Sequence, residues 1–155
     1  MKLPPFQELL DAHREDVYRF LVASVGSNEA EDCFQETFMA ALRAYPKVAE
    51  ATNLRGWLFT IAHHKAIDLH RRRKRQEVLS GDFPDPSIGI EPEVVDRDLW
   101  IRVQALPNKQ RSAIVLRFVD DLAYRTIGEV IGCSESAARQ NVRAGLARLR
   151  EEIKK

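Results

Sequence analysis

The chain has 155 residues, of which 45 % are apolar and 30 % charged, and its formal net charge is +1. This composition is typical of a folded globular chain and excludes a mainly disordered one. No apolar run approaches the roughly 20 residues of a membrane span, and the N-terminus becomes polar too early for a secretion signal. We therefore expect a cytoplasmic protein without membrane insertion.

Helical periodicity predicts three helices in the first half of the chain. Apolar residues recur at three- and four-residue steps over residues 5–25, and Gly26 follows them. A second helix is predicted to start at Asn28, with Glu31 as its capping-box partner, and to end before Pro46. Asn53 is a good N-cap for a third helix.

The third helix runs into a basic block of five consecutive residues: Arg71, Arg72, Arg73, Lys74 and Arg75. Cations near a helix C-terminus interact favourably with the helix dipole, which is one structural interpretation of the block. One or two cations would satisfy the dipole, however, and five in a row repel one another. We therefore interpret the block as a surface for nucleic-acid phosphates, a local role that the near-neutral total charge does not exclude.

The segment of residues 77–92 contains three prolines, two glycines, four acidic residues and no basic residue. This composition predicts a flexible acidic linker. The sequence therefore predicts an all-α protein of two small helical modules, residues 1–76 and 93–155, joined by that linker.

The second module ends in a pattern typical of a helix-turn-helix. Helically spaced apolar residues run from Val94 to Leu106, Pro107 suits the first turn of the next helix, and Gly132 closes a short helix further on. Ser134 is then placed to N-cap the last helix.

The last helix is the candidate recognition helix. Its residues Ser136, Arg139, Gln140 and Arg143 fall on the face opposite its apolar residues. Arg can pair with guanine and Gln with adenine in the major groove. A plain helical hairpin with a solvated charged face is the structural alternative.

Three segments carry a family resemblance when they are taken in order. They are AEDCFQETFMAAL at residues 30–42, LRGWLFTIAHHKAIDLHRRRKR at residues 54–75, and LPNKQRSAIVLRFVDDLAYRTIGEVIGCSESAARQNVRAGLARLR at residues 106–150. Together they resemble the extracytoplasmic-function (ECF) group of the sigma-70 family. These are bacterial RNA polymerase specificity subunits that keep only the second and fourth conserved regions.

The resemblance implies roles for particular residues. The second helix would dock on core RNA polymerase through Asp32, Gln35, Glu36 and Phe38. The third helix would open the downstream promoter element, with His64 at the melted strand and Arg71, Arg72, Arg73, Lys74 and Arg75 on phosphates. Ser136, Arg139, Gln140 and Arg143 would contact the upstream element. The implied partners are core RNA polymerase, promoter DNA and an anti-sigma factor, and neither an enzymatic activity nor a cofactor is implied.

Three positions depart from the family pattern. His64 replaces the usual Asn, and Ala123 replaces a Ser that caps the first helix of the helix-turn-helix. Residues 136–141, SAARQN, replace the common G-T-V-K-S-R of the recognition helix. We expect the first and third changes to alter base preference and the second to remove a cap worth about 1 kcal/mol.

Three other functions are compatible with parts of the sequence. A sigma-like mimic would bind only an anti-sigma protein, but it would have no use for a basic block. A stand-alone helix-turn-helix regulator would leave the acidic face of the second helix as an ordinary solvated surface. His64 and Asp68 stand at i and i+4, a spacing that can share a metal, but no second ligand cluster accompanies them.

The two cysteines, Cys33 and Cys133, are isolated and form no zinc motif.

Overall fold

The computed structural model describes residues 3–49, 52–80 and 97–153. Seven helices occupy these ranges: α1 Phe6–Val25, α2 Ser27–Ala44, α3 Leu54–Ser80, α4 Arg97–Gln104, α5 Asn108–Phe118, α6 Tyr124–Ile131 and α7 Glu135–Ile153. A 3-10 turn, Tyr45–Lys47, follows α2. No strand occurs within the described ranges, and the all-α, two-module prediction is confirmed. None of the described helices is long and apolar enough to cross a membrane.

Helices α1, α2 and α3 pack against one another and form the first module. Their apolar stripes meet in a core that includes an edge-to-face pair of Phe20 and Phe59, with ring centroids 5.8 Å apart. Gly26 alone joins α1 to α2 and takes a φ of 89°, which favours glycine. The predicted capping box of Asn28 and Glu31 is wrong, because α2 begins one residue earlier and has no side-chain cap.

Helix α3 has 27 residues and continues to Ser80, so its last four residues lie in the segment predicted as linker. Asn53 caps its N-terminus as predicted, since Asn53 Oδ1 accepts a hydrogen bond from Gly56 N at 3.2 Å. The last turn of α3 contains no basic residue. The basic block therefore lies too far from the helix end to be explained by the dipole, which acts within the last turn. Residues 81–92 of the predicted linker lie outside the described residues.

Helices α5, α6 and α7 pack together in the second module, and α4 contacts α7. Pro107 occupies the N-cap position of α5. The turn between α6 and α7 has the predicted features: Gly132 adopts a left-handed φ of 77°, and Ser134 Oγ accepts a hydrogen bond from Ala137 N at 3.0 Å. At the N-cap of α6, Ala123 makes no side-chain capping bond.

The two modules are docked against each other, an arrangement that the sequence left open. Helix α3 packs on α6, and α1 contacts α4 and α5. Buried His63 Nδ1 and Ser112 Oγ form a hydrogen bond of 2.7 Å across the interface. Arg55 Nη2 donates to Asp120 O at 3.3 Å and to Asp16 Oδ2 at 3.2 Å, which joins three segments through one guanidinium.

Candidate functional site

The outward face of α2 combines acidic and apolar side chains. Asp32, Gln35 and Glu36 are exposed, as the docking role implied by the family resemblance requires. Met39 is 58 % exposed and Leu42 is 56 % exposed on the same helix. An apolar patch bordered by charged residues is typical of a protein-docking surface. We call these five residues the α2 face.

Phe38 does not belong to this face, and its predicted surface role conflicts with its position. It is only 7 % exposed and packs against Phe34, with ring centroids 4.7 Å apart, and against Phe6 at 6.5 Å. The Phe38 side chain points toward α1, where it contacts Phe6, and it is part of the core of the first module. Phe38 therefore cannot contact a partner in this conformation.

The sequence interpretation missed Met39 and Leu42, because it assigned no functional role to either residue. Met39 follows Glu36 and Gln35 by three and four positions, and Leu42 follows them by six and seven. All four residues therefore lie within two turns of the same helix. Successive residues of an α-helix are about 100° apart, so Met39 points about 100° away from Phe38, which is buried. This spacing was the available signal that Met39 is exposed.

The α2 face and the basic block border a common groove between α2 and α3. Its volume is about 710 Å³, and its lining includes Glu36 and Met39 from α2 with Arg71, Arg72 and Arg75 from α3. The α2 wall of the groove also carries Arg43, and the α3 wall is mainly cationic but includes Asp68. The α2 face therefore lies directly beside the basic block.

The basic block is not uniform. Arg71, Arg72, Lys74 and Arg75 are exposed, whereas Arg73 is half-buried and donates from Nη2 to Val25 O at 2.9 Å. Arg73 thus satisfies a carbonyl at the C-terminus of α1. Four of the five cations remain available for phosphates.

His64 is exposed beside buried His63, with the two rings 5.6 Å apart. Burial lowers the pKa of His63 to about 4, and the neighbouring His64 and Arg111 act in the same direction. His63 is therefore a neutral structural residue at the module interface, and His64 is the histidine that can contact a ligand. No group of three potential metal ligands occurs in the part of the chain that the structure describes.

The recognition helix presents its predicted residues to solvent. Ser136, Gln140 and Arg143 are exposed, and Arg139 is partly engaged. Arg139 Nη2 donates to Glu135 Oε1 at 3.1 Å, and its guanidinium lies 5.1 Å from the ring centroid of Tyr124. These contacts place the Arg139 guanidinium between Glu135 and Tyr124, near the N-terminal end of α7, the end that enters a major groove in helix-turn-helix proteins.

Comparison with known proteins places both modules in one family. Residues 9–76 match Sigma-70 region 2, and residues 98–149 match Sigma-70, region 4. RNA polymerase sigma factor CarQ of Myxococcus xanthus is 30 % identical, over 94 % of this chain and 87 % of its own length. ECF RNA polymerase sigma factor SigE of Mycolicibacterium smegmatis is also 30 % identical, but the chain spans only 63 % of its length.

The fold is also similar to that of a solved sigma factor. RpoE of Bartonella quintana, solved in complex with the anti-sigma factor NepR, superposes with a TM-score of 0.79. It is 26 % identical, and the match covers 96 % of each chain.

The chain therefore belongs to the sigma-70 family of RNA polymerase sigma factors. It is similar to members of the ECF type, which are non-enzymatic factors for promoter recognition and transcription initiation.

Proposed function

We propose that this sigma factor binds core RNA polymerase through the α2 face and directs it to promoters in the cytoplasm. The observation that carries this proposal is the groove in which Glu36 and Met39 of α2 meet Arg71, Arg72 and Arg75 of α3. A protein partner on the α2 face would deliver DNA to the adjacent cations. A stand-alone DNA-binding regulator has no need for that juxtaposition.

The downstream promoter element would be held by α3. Its exposed His64 can stack on or hydrogen-bond to an unpaired base, and Arg71, Arg72, Lys74 and Arg75 would contact phosphates. Arg73 contributes to the local positive field while its guanidinium is bonded to Val25 O. Flipping a base out of the duplex costs a few kcal/mol, which these contacts must offset.

The upstream element would be read in the major groove by Ser136, Arg139, Gln140 and Arg143 of α7. All of these residues lie on the solvent side of the helix-turn-helix. We also propose an anti-sigma partner, since the similar RpoE of Bartonella quintana was solved with the anti-sigma factor NepR.

Run-off transcription with purified core polymerase and a library of random promoters tests the function directly. We expect initiation that depends on the chain and a shared two-part promoter motif. Binding to core polymerase or to an anti-sigma protein without initiation would identify a sigma mimic instead. Binding of a palindromic duplex without polymerase would favour a stand-alone regulator.

A substitution on the α2 face tests the docking surface. Met39→Glu should weaken core polymerase binding by about tenfold or more, because a charge replaces an exposed apolar contact at the centre of the face. Phe118→Glu is the matched control, since Phe118 is also exposed, at 61 %, but belongs to the second module. Equal loss of binding in both variants would contradict the assignment.

The salt dependence of promoter binding tests the basic block. Each neutralised phosphate contributes about 0.7–0.9 to the slope of log K against log salt concentration. The double variant Arg71→Gln/Arg72→Gln should therefore reduce the slope by about 1.4–1.8 in the complex with polymerase. Arg125→Gln is the control, since Arg125 is 84 % exposed on α6. An unchanged slope in the double variant would exclude these residues from phosphate contact.

A further inference from the structure

A cationic cleft lies at the joint between the two modules, and Arg71 belongs both to its lining and to that of the groove beside the α2 face. The volume of the cleft is about 800 Å³, and it is bounded by α3, α4, α5 and the C-terminal part of α7. Five cationic side chains line it, and Glu77 is the only carboxylate among its described lining residues. The cations are Arg71, Arg73, Lys74, Arg111 and Arg148. We call it the interdomain basic cleft.

Arg111 is a buried cation without an anionic partner. It is 2 % exposed, and its guanidinium donates to Leu106 O at 2.9 Å and to Asn108 Oδ1 at 2.6 Å. Its Nε–H finds no acceptor among the described residues. Burial lowers the pKa of Arg111 to about 10, and repulsion by Arg73 adds to the shift. A buried charge in this state is costly, and an anion in the cleft would offset the cost.

The other cations of the cleft are also uncompensated. Arg71, Lys74 and Arg148 form no ion pair with a carboxylate in the described part of the chain. They come from both modules, so their mutual repulsion opposes docking. The positive charge of the cleft also acts on His70. Burial, and after it the charge of Arg111, lower the pKa of the His70 imidazole to about 4. His70 is therefore neutral and adds no charge of its own.

We propose that the interdomain basic cleft binds a small polyphosphate anion, such as the phosphate chain of a nucleotide, and that this anion stabilises the docked arrangement of the two modules. Guanidinium groups match phosphate oxygens with paired hydrogen bonds, and Lys adds a mobile point charge. Cations from α3, α5 and α7 surround the same space only when the modules are docked. The anion thus links the modules and occupies Arg71 and Lys74, which are otherwise assigned to promoter DNA.

The test is a calorimetric titration of the full-length chain with inorganic triphosphate at constant ionic strength, together with a thermal melt. We expect saturable binding and a higher melting temperature. Lys74→Gln and Arg148→Gln should each weaken binding by about tenfold, the loss expected for one charge-assisted contact. Their matched controls are Arg125→Gln on α6 and Arg150→Gln on α7, which are exposed, outside the cleft lining and outside the residues assigned to promoter DNA. Both controls should bind within twofold of the unmodified chain.

Three results would overturn the proposal: no saturable binding, equal weakening in all four variants, or dependence on Lys74 and Arg148 for a single-stranded oligonucleotide but not for triphosphate. The second would indicate general charge screening, and the third would assign the cleft to the DNA-binding surface. Core polymerase is absent from the titration, so the outcome is independent of the proposed promoter function.

Discussion

Asp120 gives the docked structure a specific dependence on pH. Its side chain is 5 % exposed, and neither carboxylate oxygen has a hydrogen-bond partner among the described residues. Burial raises the pKa of Asp120 to about 8, Asp16 acts in the same direction, and Arg19 and Arg55 oppose it. The folded protein therefore keeps a proton on Asp120 at neutral pH, whereas the unfolded chain has lost it.

The sign and the size of the effect follow from proton linkage. Between the unfolded pKa of 3.8 and the folded pKa of about 8, the folded state binds one more proton, so stability falls as pH rises. The buried histidines His63 and His70, with pKa values lowered from 6.5 to about 4, have the opposite sign and raise stability over that lower range. The free energy of unfolding should therefore be greatest near pH 6.5. From there to pH 8 the chain should lose on the order of 1 kcal/mol, because Asp120 is half ionised at pH 8 and the unfolded histidines still release protons just above pH 6.5.

The substitution Asp120→Asn removes the contribution of Asp120 ionisation to the free energy of unfolding, because the amide is a neutral side chain of the same shape. We expect the variant to lose the decline in stability between pH 6.5 and pH 8, as measured by urea unfolding followed through tryptophan fluorescence. Asp121→Asn is the matched control: Asp121 is exposed, and its φ of 54° is one that Asn accepts. A decline in Asp120→Asn equal to that of the unmodified chain would show that Asp120 is already ionised in the folded protein.

Three further predictions concern the helix-turn-helix and the module interface. In Gly128→Ala the new Cβ would lie 2.6 Å from a backbone carbonyl oxygen of the following turn, so a thermal melt should show a loss of about 1–3 kcal/mol. In Gly132→Ala the new Cβ would meet no atom, so the protein should lose only about 1 kcal/mol of stability, from the left-handed backbone at that position. A larger loss in Gly132→Ala than in Gly128→Ala would contradict the packing of the turn. Gln140→Ala should relax base preference at one upstream position by about 1–3 kcal/mol in library transcription, whereas uniform weakening at all promoters would indicate phosphate contact only. Ser112→Ala leaves the buried His63 Nδ1 without its partner and should weaken docking by about 1–3 kcal/mol, detectable as a change in energy transfer between dyes on the two modules; an unchanged signal would show that this bond does not hold them together.

Local interactions explain what the sequence predicted correctly. The apolar periodicity placed the helices, Asn53 and Ser134 were identified as N-caps, and Gly132 was identified as the residue that closes α6. Each of these features depends on contacts within a few residues, which sequence spacing reports directly.

The start of α2 was predicted wrongly because the prediction relied on a side-chain cap, whereas the helix start is set by the positive φ of Gly26. That angle lets α2 begin at Ser27 without any side-chain cap, so the capping pattern of Asn28 and Glu31 was not needed. The length of α3 was also underestimated. Its final residues, Glu77–Ser80, precede Gly81 and the prolines that follow, so the composition of the whole segment concealed a helical end.

The sequence by itself determined that this is an all-α sigma factor with a basic block and a helix-turn-helix, because those properties are encoded in periodicity and ordered motifs. Only the tertiary structure decided which side chains of that pattern are available. It buried Phe38, exposed Met39, committed Arg73 to Val25 O, and left Arg111 without a counter-charge at the joint between the modules. These outcomes depend on contacts between residues far apart in the chain, whose geometry is set by packing and is absent from local spacing.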